Sequence, residues 1–405
     1  MTDLITDHMD IWTGAQIQTA NGGPGRGKNG YGQPIYGIKK LRELILELAV
    51  RGKLVPQDPD DEPASVLLDK IAEERKQLIK EGKIKKQKEL LDIGEDEKPF
   101  ELPDGWEWAK LGNFVYLEMG QSPPSKFYNQ NNDGIPFFQG KADFNDLYPT
   151  PRYWCTQPNK YAYPGDVLLS VRAPVGPTNI SDINCCIGRG LAALRPLAMV
   201  STKFLLALMR AFQNKLEEKA TGTTFVAVSK TDVESLSTPI PPLSEQNRIV
   251  AKVDELMALC DQLEQQQTDN NATHQTLVET LLTSLTAATD PKDFDESWQR
   301  IANHFDTLFT TEQSIDHLKQ TILQLAVMGR LVPQDPDDEP ASVLLEKIAK
   351  EKARLVKEGK IKRQKKLPEI GEDEKPFELP LGWKWVRFNQ LVDPENLISY
   401  GVLVP

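Results

Sequence analysis

One stretch of fifteen residues occurs twice in the chain without a single change. Residues 54 to 68 read LVPQDPDDEPASVLL, and residues 331 to 345 read the same. The match extends from Ile38 to about Trp108 and recurs without a gap, always displaced by 277 positions. Solenoid units recur every few tens of residues, so a repeat this wide is not a solenoid. The sequence therefore predicts one structural frame that is used twice, around a single non-repeated insert.

Length and charge limit the kinds of protein that fit. The 405 residues can hold two or three domains, each with its own core. A formal net charge of −11 argues against coating nucleic acid by bulk positive charge, although a local basic cleft stays compatible with it. The four cysteines form no CxxC pair, which predicts reduced thiols in a cytoplasmic protein. No apolar run approaches the roughly 18 residues of a membrane span, so no membrane association is expected.

Residues 1–37 are rich in Gly, Asn and Gln and are predicted to be a flexible N-terminal tail. The run GGPGRGKNG has the glycine and lysine spacing of a phosphate-binding loop. Asn29 stands where that loop needs Ser or Thr for Mg²⁺, and no strand or periodic helix flanks the glycines. A phosphate site is therefore not predicted here.

The first copy of the frame, residues 38–100, is predicted to be helical. Leu41, Leu44, Ile45 and Leu48 form one apolar face of a helix that ends near Gly52. A second helix should follow Pro63, with a charged outer face that either is solvated or contacts DNA phosphates. The solvated face is the more ordinary interpretation. An acidic linker then leads to LPDGWEW at residues 102–108.

Residues 101–242 change in texture to short apolar runs separated by Gly and Pro, which predicts an α+β domain. The strand candidates are 115–117, 135–138, 167–171 and 191–194, and a helix is predicted from Ser201. Between Gly105 and Ile240 there are 13 Lys and Arg against 11 Asp and Glu, so this domain is slightly positive within an acidic chain.

Residues 243–313 are predicted to hold a long helix and a helical spacer. The apolar seam of a coiled coil is spaced four, three, four and three residues apart: Ile249, Val253, Leu256, Cys260 and Leu263. We expect this seam to be buried against a helix of the second frame copy or of a partner chain. Ser244 is a candidate N-cap, and Asp290 with Pro291 marks a predicted break. The second frame copy occupies 314–377, and 378–405 would begin a second insert. The predicted fold class is α+β, a globular domain with long antiparallel coiled-coil helices.

Sequence patterns of catalysis are not found. The four histidines show no metal-ligand spacing, no glycine-rich loop follows a strand, and no GxSxG motif occurs. We therefore predict a chain that is not an enzyme and that has no metal site and no cofactor.

Polar clusters instead follow several strand candidates. Arg, Lys and Gln can pair with base edges, while Ser, Thr and glycine amides suit phosphates. Internal pairing of Arg172 and Arg189 is an equally expected role for those two residues. The candidate DNA-binding residues are Gln121, Ser122, Lys126, Gln139, Lys141, Arg172, Arg189, Thr221, Thr223, Thr224, Ser229 and Lys230.

The ordered motifs IPFFQGK, GDVLLSVRAPVG, CIGRGLAALRP, TGTTF and PIPPLSEQNRIVAKVDELM resemble the target recognition domain and following helix of type I restriction-modification specificity subunits. The repeated KKLRELILELAVRGKLVPQDP frame is similar to the duplicated conserved regions of that family. The resemblance implies a non-catalytic subunit that reads double-stranded DNA. It also implies two recognition domains held apart by paired helices, two methyltransferase subunits as partners, and a nuclease-translocase subunit.

The chain departs from that pattern because only the start of a second recognition domain is present, within 378–405. Two copies of the chain, paired through their long helices, would restore two-part recognition. The apolar stripe of Trp298, Ile301, Phe305 and Leu308 suggests such a dimer, and folding back of the second frame copy would cover it instead. A structural coiled-coil adaptor that binds proteins is the alternative function.

Overall fold

The computed structural model describes residues 36–86, 90–221, 227–361 and 367–392, with only the backbone of Thr221. The chain divides into two compact units between Gln267 and Thr268. Residues 1–35, 87–89, 222–226, 362–366 and 393–405 lie outside the described residues, and they include most of the predicted tail and about half of the predicted second insert.

The first unit begins with the two helices of the first frame copy, α1 (Tyr36–Val50) and α2 (Ala64–Lys80). Pro63 immediately precedes α2, as its fixed φ favours. The chain leaves α1 through Gly52, whose φ is +65°. A Cβ at Gly52 would lie 2.5 Å from Pro103 Cγ, so the close packing of the linker on this turn requires glycine.

Among the described residues from 107 to 240, three sheets and four α-helices follow, and they confirm the predicted α+β class. A four-stranded sheet has the order β2-β10-β7-β8, and a five-stranded sheet has the order β3-β5-β4-β9-β6. The strands are β1 (Glu107–Lys110), β2 (Val115–Met119), β3 (Tyr128–Asn129), β4 (Ile135–Phe138), β5 (Tyr153–Cys155), β6 (Tyr161–Ala162), β7 (Val167–Ser170), β8 (Thr178–Ile180), β9 (Cys185–Ile187), β10 (Leu191–Pro196) and β11 (Ser237–Ile240). The helices are α3 (Leu111–Phe114), α4 (Thr202–Ala211), α5 (Gln213–Thr221) and α6 (Lys230–Glu234).

The entry and exit strands of this domain pair with each other. β1 and β11 run antiparallel with Glu107 opposite Ile240 and Lys110 opposite Ser237. Lys110 is 5% exposed, and its Nζ donates hydrogen bonds to Glu97 and to Ser237. The domain therefore leaves the frame and returns to it at one place.

The long helix α7 (Leu243–Ala287) starts directly after β11. Ser244 lies inside its first turn, so its predicted N-cap role was wrong. Glu245 is 1% exposed and accepts hydrogen bonds from Trp106 Nε1 at 2.8 Å and Gln57 Nε2 at 2.9 Å. Burial raises the pKa of this carboxyl, and the two donors offset part of that effect. One turn later, Arg248 pairs with Asp61 at 2.6 Å.

All five residues of the predicted seam on α7 are buried, each less than 9% exposed. They belong to one apolar cluster that also holds Ile38, Leu41 and Ile45 of α1. Arg42 of α1 completes this contact through ion pairs with Asp261 and Glu264. The expectation that the second frame copy or another chain covers the seam was therefore wrong, because α1 of the first copy is already beside it.

The second unit contains the end of α7 and the helices α8 (Pro291–Asn303), α9 (Phe305–Leu308), α10 (Glu312–Val327) and α11 (Ala341–Lys357). Asp290 caps α8 and accepts a hydrogen bond from Lys292 N, at the predicted break. Ile301 and Leu308 are buried with Val278, Leu282 and Leu285 of α7. Two of the four stripe residues are thus covered within the chain, while Trp298 and Phe305 stay 38% and 44% exposed.

Among the residues that the structure describes, no helix has the length and apolar character that a membrane crossing requires.

We predict that Val253→Asp lowers the free energy of unfolding by more than about 3 kcal/mol, because it places an unpaired charge in the cluster between α7 and α1. Urea denaturation measures this change. Ala251→Asp, an exposed position two residues away on the same helix, is the matched control and should change stability by less than about 1 kcal/mol, the scale of the helix-propensity difference. Equal effects of the two substitutions would contradict the assignment of the seam.

Candidate nucleic-acid interface

Four loops of the α+β domain converge at one end of its sheets. We call them the loop cluster, residues 120–122, 139–143, 171–172 and 188–190. Backbone hydrogen bonds join them: Gln121 N donates to Ile187 O at 3.0 Å, Gly188 N to Phe138 O at 2.8 Å, and Val171 N to Gly190 O at 2.9 Å. Residues from distant parts of the sequence therefore meet on a single surface.

Two glycines make this convergence sterically feasible. A Cβ at Gly190 would lie 2.2 Å from the carbonyl oxygen of Gln139, and a Cβ at Gly120 would lie 2.2 Å from that of Gly188. Both neighbours are backbone atoms, which cannot move without displacing a loop. The glycines therefore set the distance between the loops that carry Gln121, Gln139 and Arg189.

Five candidate DNA-binding residues of the loop cluster are exposed: Gln121, Gln139, Lys141, Arg172 and Arg189. Within the described parts of the chain, the side chains of Lys141, Arg172 and Arg189 have no ion-pair partner. The internal pairing considered for the two arginines is thus not seen there. Three cations without a carboxylate partner give this end of the domain a local positive charge.

The remaining candidates have more varied surroundings. Ser122 Oγ accepts a hydrogen bond from Arg189 N at 3.2 Å, so it supports the arginine loop. Lys126 Nζ lies 4.8 Å from the centre of the Phe127 ring, next to β3. Thr221 ends α5, and its side chain is not described. Thr223 and Thr224 lie outside the described residues.

Ser229 and Lys230 have structural partners that the sequence did not indicate. Ser229 caps α6, and its hydroxyl donates to Asp232 at 2.6 Å. Lys230 Nζ lies 3.4 Å from Glu234 and 5.9 Å from the centre of the Tyr116 ring. They follow Val228, whose amide donates to Val171 O at 3.0 Å and so connects them to the loop cluster.

The sequence patterns did not indicate one pair of charged residues, Asp143 and Arg152. Asp143 is 3% exposed, and its carboxylate accepts hydrogen bonds from Gln139 N at 2.7 Å and from Arg152 Nε at 2.7 Å. The available sequence signal was an acid three residues after Gly140. The arginine lies nine residues further on, beyond an isolated bridge between Phe144 and Pro149, so spacing alone did not connect the two.

The buried thiols of the domain are poorly suited to chemistry. Burial raises the pKa of Cys185 to about 11 and that of Cys186 to about 12. A thiol must lose its proton to act as a nucleophile or to bind a metal. Across the described residues, no cluster of three or more His, Cys, Asp or Glu side chains could hold a metal ion.

Comparison with known proteins identifies the kind of domain that carries the loop cluster. The family model described as "Type I restriction modification DNA specificity domain" matches residues 103–272. The chain is 48% identical over 401 residues to the type I restriction enzyme EcoAI specificity subunit of Escherichia coli, with 96% of this chain and 67% of the relative covered. It is 47% identical over 411 residues to the EcoEI specificity subunit of the same species, with the same coverage.

Solved structures of similar proteins include the HsdS subunit from Thermoanaerobacter tengcongensis. It is 38% identical, the match covers 57% of this chain and 49% of that chain, and the TM-score is 0.39.

We predict that Gly190→Ala lowers the free energy of unfolding by about 1–3 kcal/mol, because the new methyl group would collide with the Gln139 carbonyl. Thermal or urea denaturation measures the change. Gly140→Ala in the neighbouring loop is the matched control, since a Cβ there meets nothing within 4 Å and its φ of 175° suits any residue. If both variants are equally stable, the close approach of the loops is refuted.

Proposed function

The chain belongs to the family of type I restriction enzyme specificity subunits, and we infer from this that its loop cluster reads DNA sequence. As a specificity subunit, it is the non-catalytic DNA-recognition component of a restriction-modification system. A purely structural coiled-coil adaptor, the alternative function, is not favoured. The observation that carries the inference is the convergence of Lys141, Arg172 and Arg189, without carboxylate partners in the described structure, on one end of the matched domain.

The chemistry of these side chains fits double-stranded DNA. Exposed Gln139 can pair with adenine in the major groove, and an unpaired arginine can pair with guanine or with a phosphate. Lys141 adds a point charge next to Gln139. These cations occupy one small surface of an acidic chain. Such a surface can still attract DNA, because electrostatic attraction depends on the local arrangement of charge.

Specificity subunits act together with methyltransferase and nuclease subunits of the same system. We propose that this chain assembles in the cytoplasm with two methyltransferase subunits and a nuclease-translocase subunit. The exposed faces of the helices in the second unit are the surfaces available for them. Trp298 and Phe305 are the largest apolar side chains exposed on α8 and α9.

The two frame copies differ in what covers them. Ile45, Leu67 and Trp106 of the first copy are at most 5% exposed. Their counterparts in the second copy, 277 positions later, are Ile322, Leu344 and Trp383, which are 38%, 52% and 44% exposed. In the first copy these positions are covered by the recognition domain and by α7, as the shared apolar cluster records.

In the first copy, Trp106 and Gln57 are hydrogen-bonded to each other and both donate to Glu245. The second copy keeps the same tryptophan–glutamine pair. Trp383 Nε1 donates to Gln334 at 3.1 Å, as Trp106 does to Gln57 at 3.2 Å. A cleft of about 820 Å³ beside Trp383 is lined by α11 and residues 367–390. In the first copy, the matching side of α2 packs against α3 of the recognition domain.

We propose that the second copy holds a second recognition domain followed by an α7-like helix, so that the complete assembly reads a target in two parts. The relatives leave room for such a segment, since this chain covers 67% of their length. A homodimer through the long helices is the competing way to supply two recognition domains. Trp298 and Phe305 are the exposed residues that would favour it.

We predict that the association constant for DNA falls steeply as salt concentration rises. The double substitution Arg172→Ala and Arg189→Ala should make the plot of log K against log salt less steep by about 1 to 2. The physical reason is that the variant contacts fewer phosphates and so releases fewer counterions when it binds DNA. Fluorescence anisotropy with the methyltransferase-bound chain measures the slope. Lys203→Ala removes one exposed cation that pairs with Asp254 and should leave the slope unchanged. A slope near zero in the unaltered protein would favour the protein-binding adaptor.

A chain in which residues 109–290 are repeated directly after Trp385 tests the second recognition domain. We predict that amide hydrogen exchange of α10 and α11 slows by about tenfold or more, because each tenfold reflects about 1.4 kcal/mol of added protection. The same chain with Glu245→Ala in the added copy is the control and should lose part of that protection. Two results together would favour the homodimer. Hydrogen exchange would be unchanged in the extended chain, and the original chain would sediment as a dimer and not as a 45.5 kDa monomer.

A further inference from the structure

We propose that Arg152, which pairs with Asp143 of the loop cluster, is a further DNA-contacting residue that reads a guanine edge, and that buried Asp143 is its positioning residue. This inference rests on the proposed function of the loop cluster. It adds a base contact and a mechanism of orientation that neither the sequence motifs nor the family resemblance assigned.

Asp143 is the anchor of the loop that carries Gln139 and Lys141. Its Oδ2 accepts hydrogen bonds from Gln139 N at 2.7 Å and Gly140 N at 3.4 Å. Its backbone carbonyl accepts from Thr150 N at 2.9 Å. A carboxylate whose side chain is only 1% exposed needs such partners, because an unpaired buried charge is very costly. Asp143 therefore holds both the loop at 139–143 and the segment around Thr150 that leads to Arg152.

The guanidinium of Arg152 completes the set of partners. Nε and one terminal nitrogen both lie 2.7 Å from Asp143 Oδ1, and the arginine side chain is still 53% exposed. An arginine has five N–H donors in a rigid plane. Both contacts are made to a single carboxylate oxygen, so the other terminal nitrogen and the outer N–H of the bound one remain available. These donors form the paired edge that matches the O6 and N7 acceptors of guanine.

Orientation of the arginine in advance has a physical advantage. A free arginine side chain loses rotamer entropy when it binds, and a fixed fork loses less for each hydrogen bond formed. Asp143 holds the Arg152 fork next to exposed Gln139, whose amide suits adenine. Gln139 and Arg152 would then read neighbouring base pairs.

A second buried acid in the same domain provides a matched comparison. Asp166 is 1% exposed and accepts hydrogen bonds from Tyr163 N at 2.9 Å and from Arg195 Nε and Nη2 at 2.9 and 2.8 Å. Arg195 uses both oxygens of that carboxylate, and its guanidinium lies 4.4 Å from the centre of the Tyr163 ring. Two of the five N–H donors of Arg195 and one face of its plane are thus engaged. The pair lies at the end of β7 and β10 away from the loop cluster, so Asp166→Asn reports the effect of losing a buried acid–arginine pair outside that cluster.

The test uses the full chain assembled with its methyltransferase subunits and a pool of randomised DNA duplexes. Duplexes retained by the unaltered complex define the preferred sequence. We expect Arg152→Ala and Asp143→Asn to lose the preference for a guanine at the same position. Affinity for the preferred duplex should fall about 10- to 100-fold in both, with little change for a scrambled duplex. The double variant should be no weaker than either single variant, because the two residues act as a unit.

The outcomes separate this inference from the proposed function. If the unaltered complex selects no sequence, the proposed function fails. If it selects one and Arg152→Ala retains every preferred position, the guanine contact is overturned. If Asp166→Asn relaxes the sequence preference as much as Asp143→Asn does, Asp143 has no positioning role beyond stability. Arg152→Lys should not restore the lost position, since an ammonium lacks the planar pair of donors.

Discussion

The buried carboxylate of Glu245 is the contact on which the arrangement of the first unit depends. It lies at the start of α7 and is held by Gln57, from the connection between α1 and α2, and by Trp106, which directly precedes β1. A buried charge tolerates no partial loss of its partners, so removing one donor is far more costly than an ordinary substitution. The start of the long helix is thus fixed to the frame at one point, and the Arg248 pair with Asp61 fixes its direction one turn later.

Identical sequence does not imply identical burial in this chain. The fifteen repeated residues include Leu67 and Leu344, which are 4% and 52% exposed. Their helices are the same because the local signals are the same: a proline before the first turn and a glycine turn after the last. What differs is the element packed against each helix, which lies far away in the sequence. Local structure in this protein is therefore set by the repeat, and burial by the insert.

Much of the fold was predictable because it is encoded locally. The seam spacing predicted the coiled-coil part of α7, Ser244 and the Asp290–Pro291 break placed its ends within a few residues, and the apolar run at 135–138 coincides with β4. The pairing of β1 with β11 was not predictable, since the two strands are about 130 residues apart and their partners depend on the whole domain. The sequence placed polar residues after several strand candidates, but their loops meet only through backbone hydrogen bonds that depend on the whole domain. Arg152 escaped because a single exposed arginine looks ordinary until its buried partner is seen.

The pairing of β1 with β11 also bears on how such a protein can vary. Since the recognition domain departs and returns at adjacent strands, it is topologically a side branch of the helical frame. Its strands and loops can change in length or sequence without altering the distance between α2 and the start of α7. The sequence of the domain can therefore change what its loops contact while the helical frame that carries it stays the same.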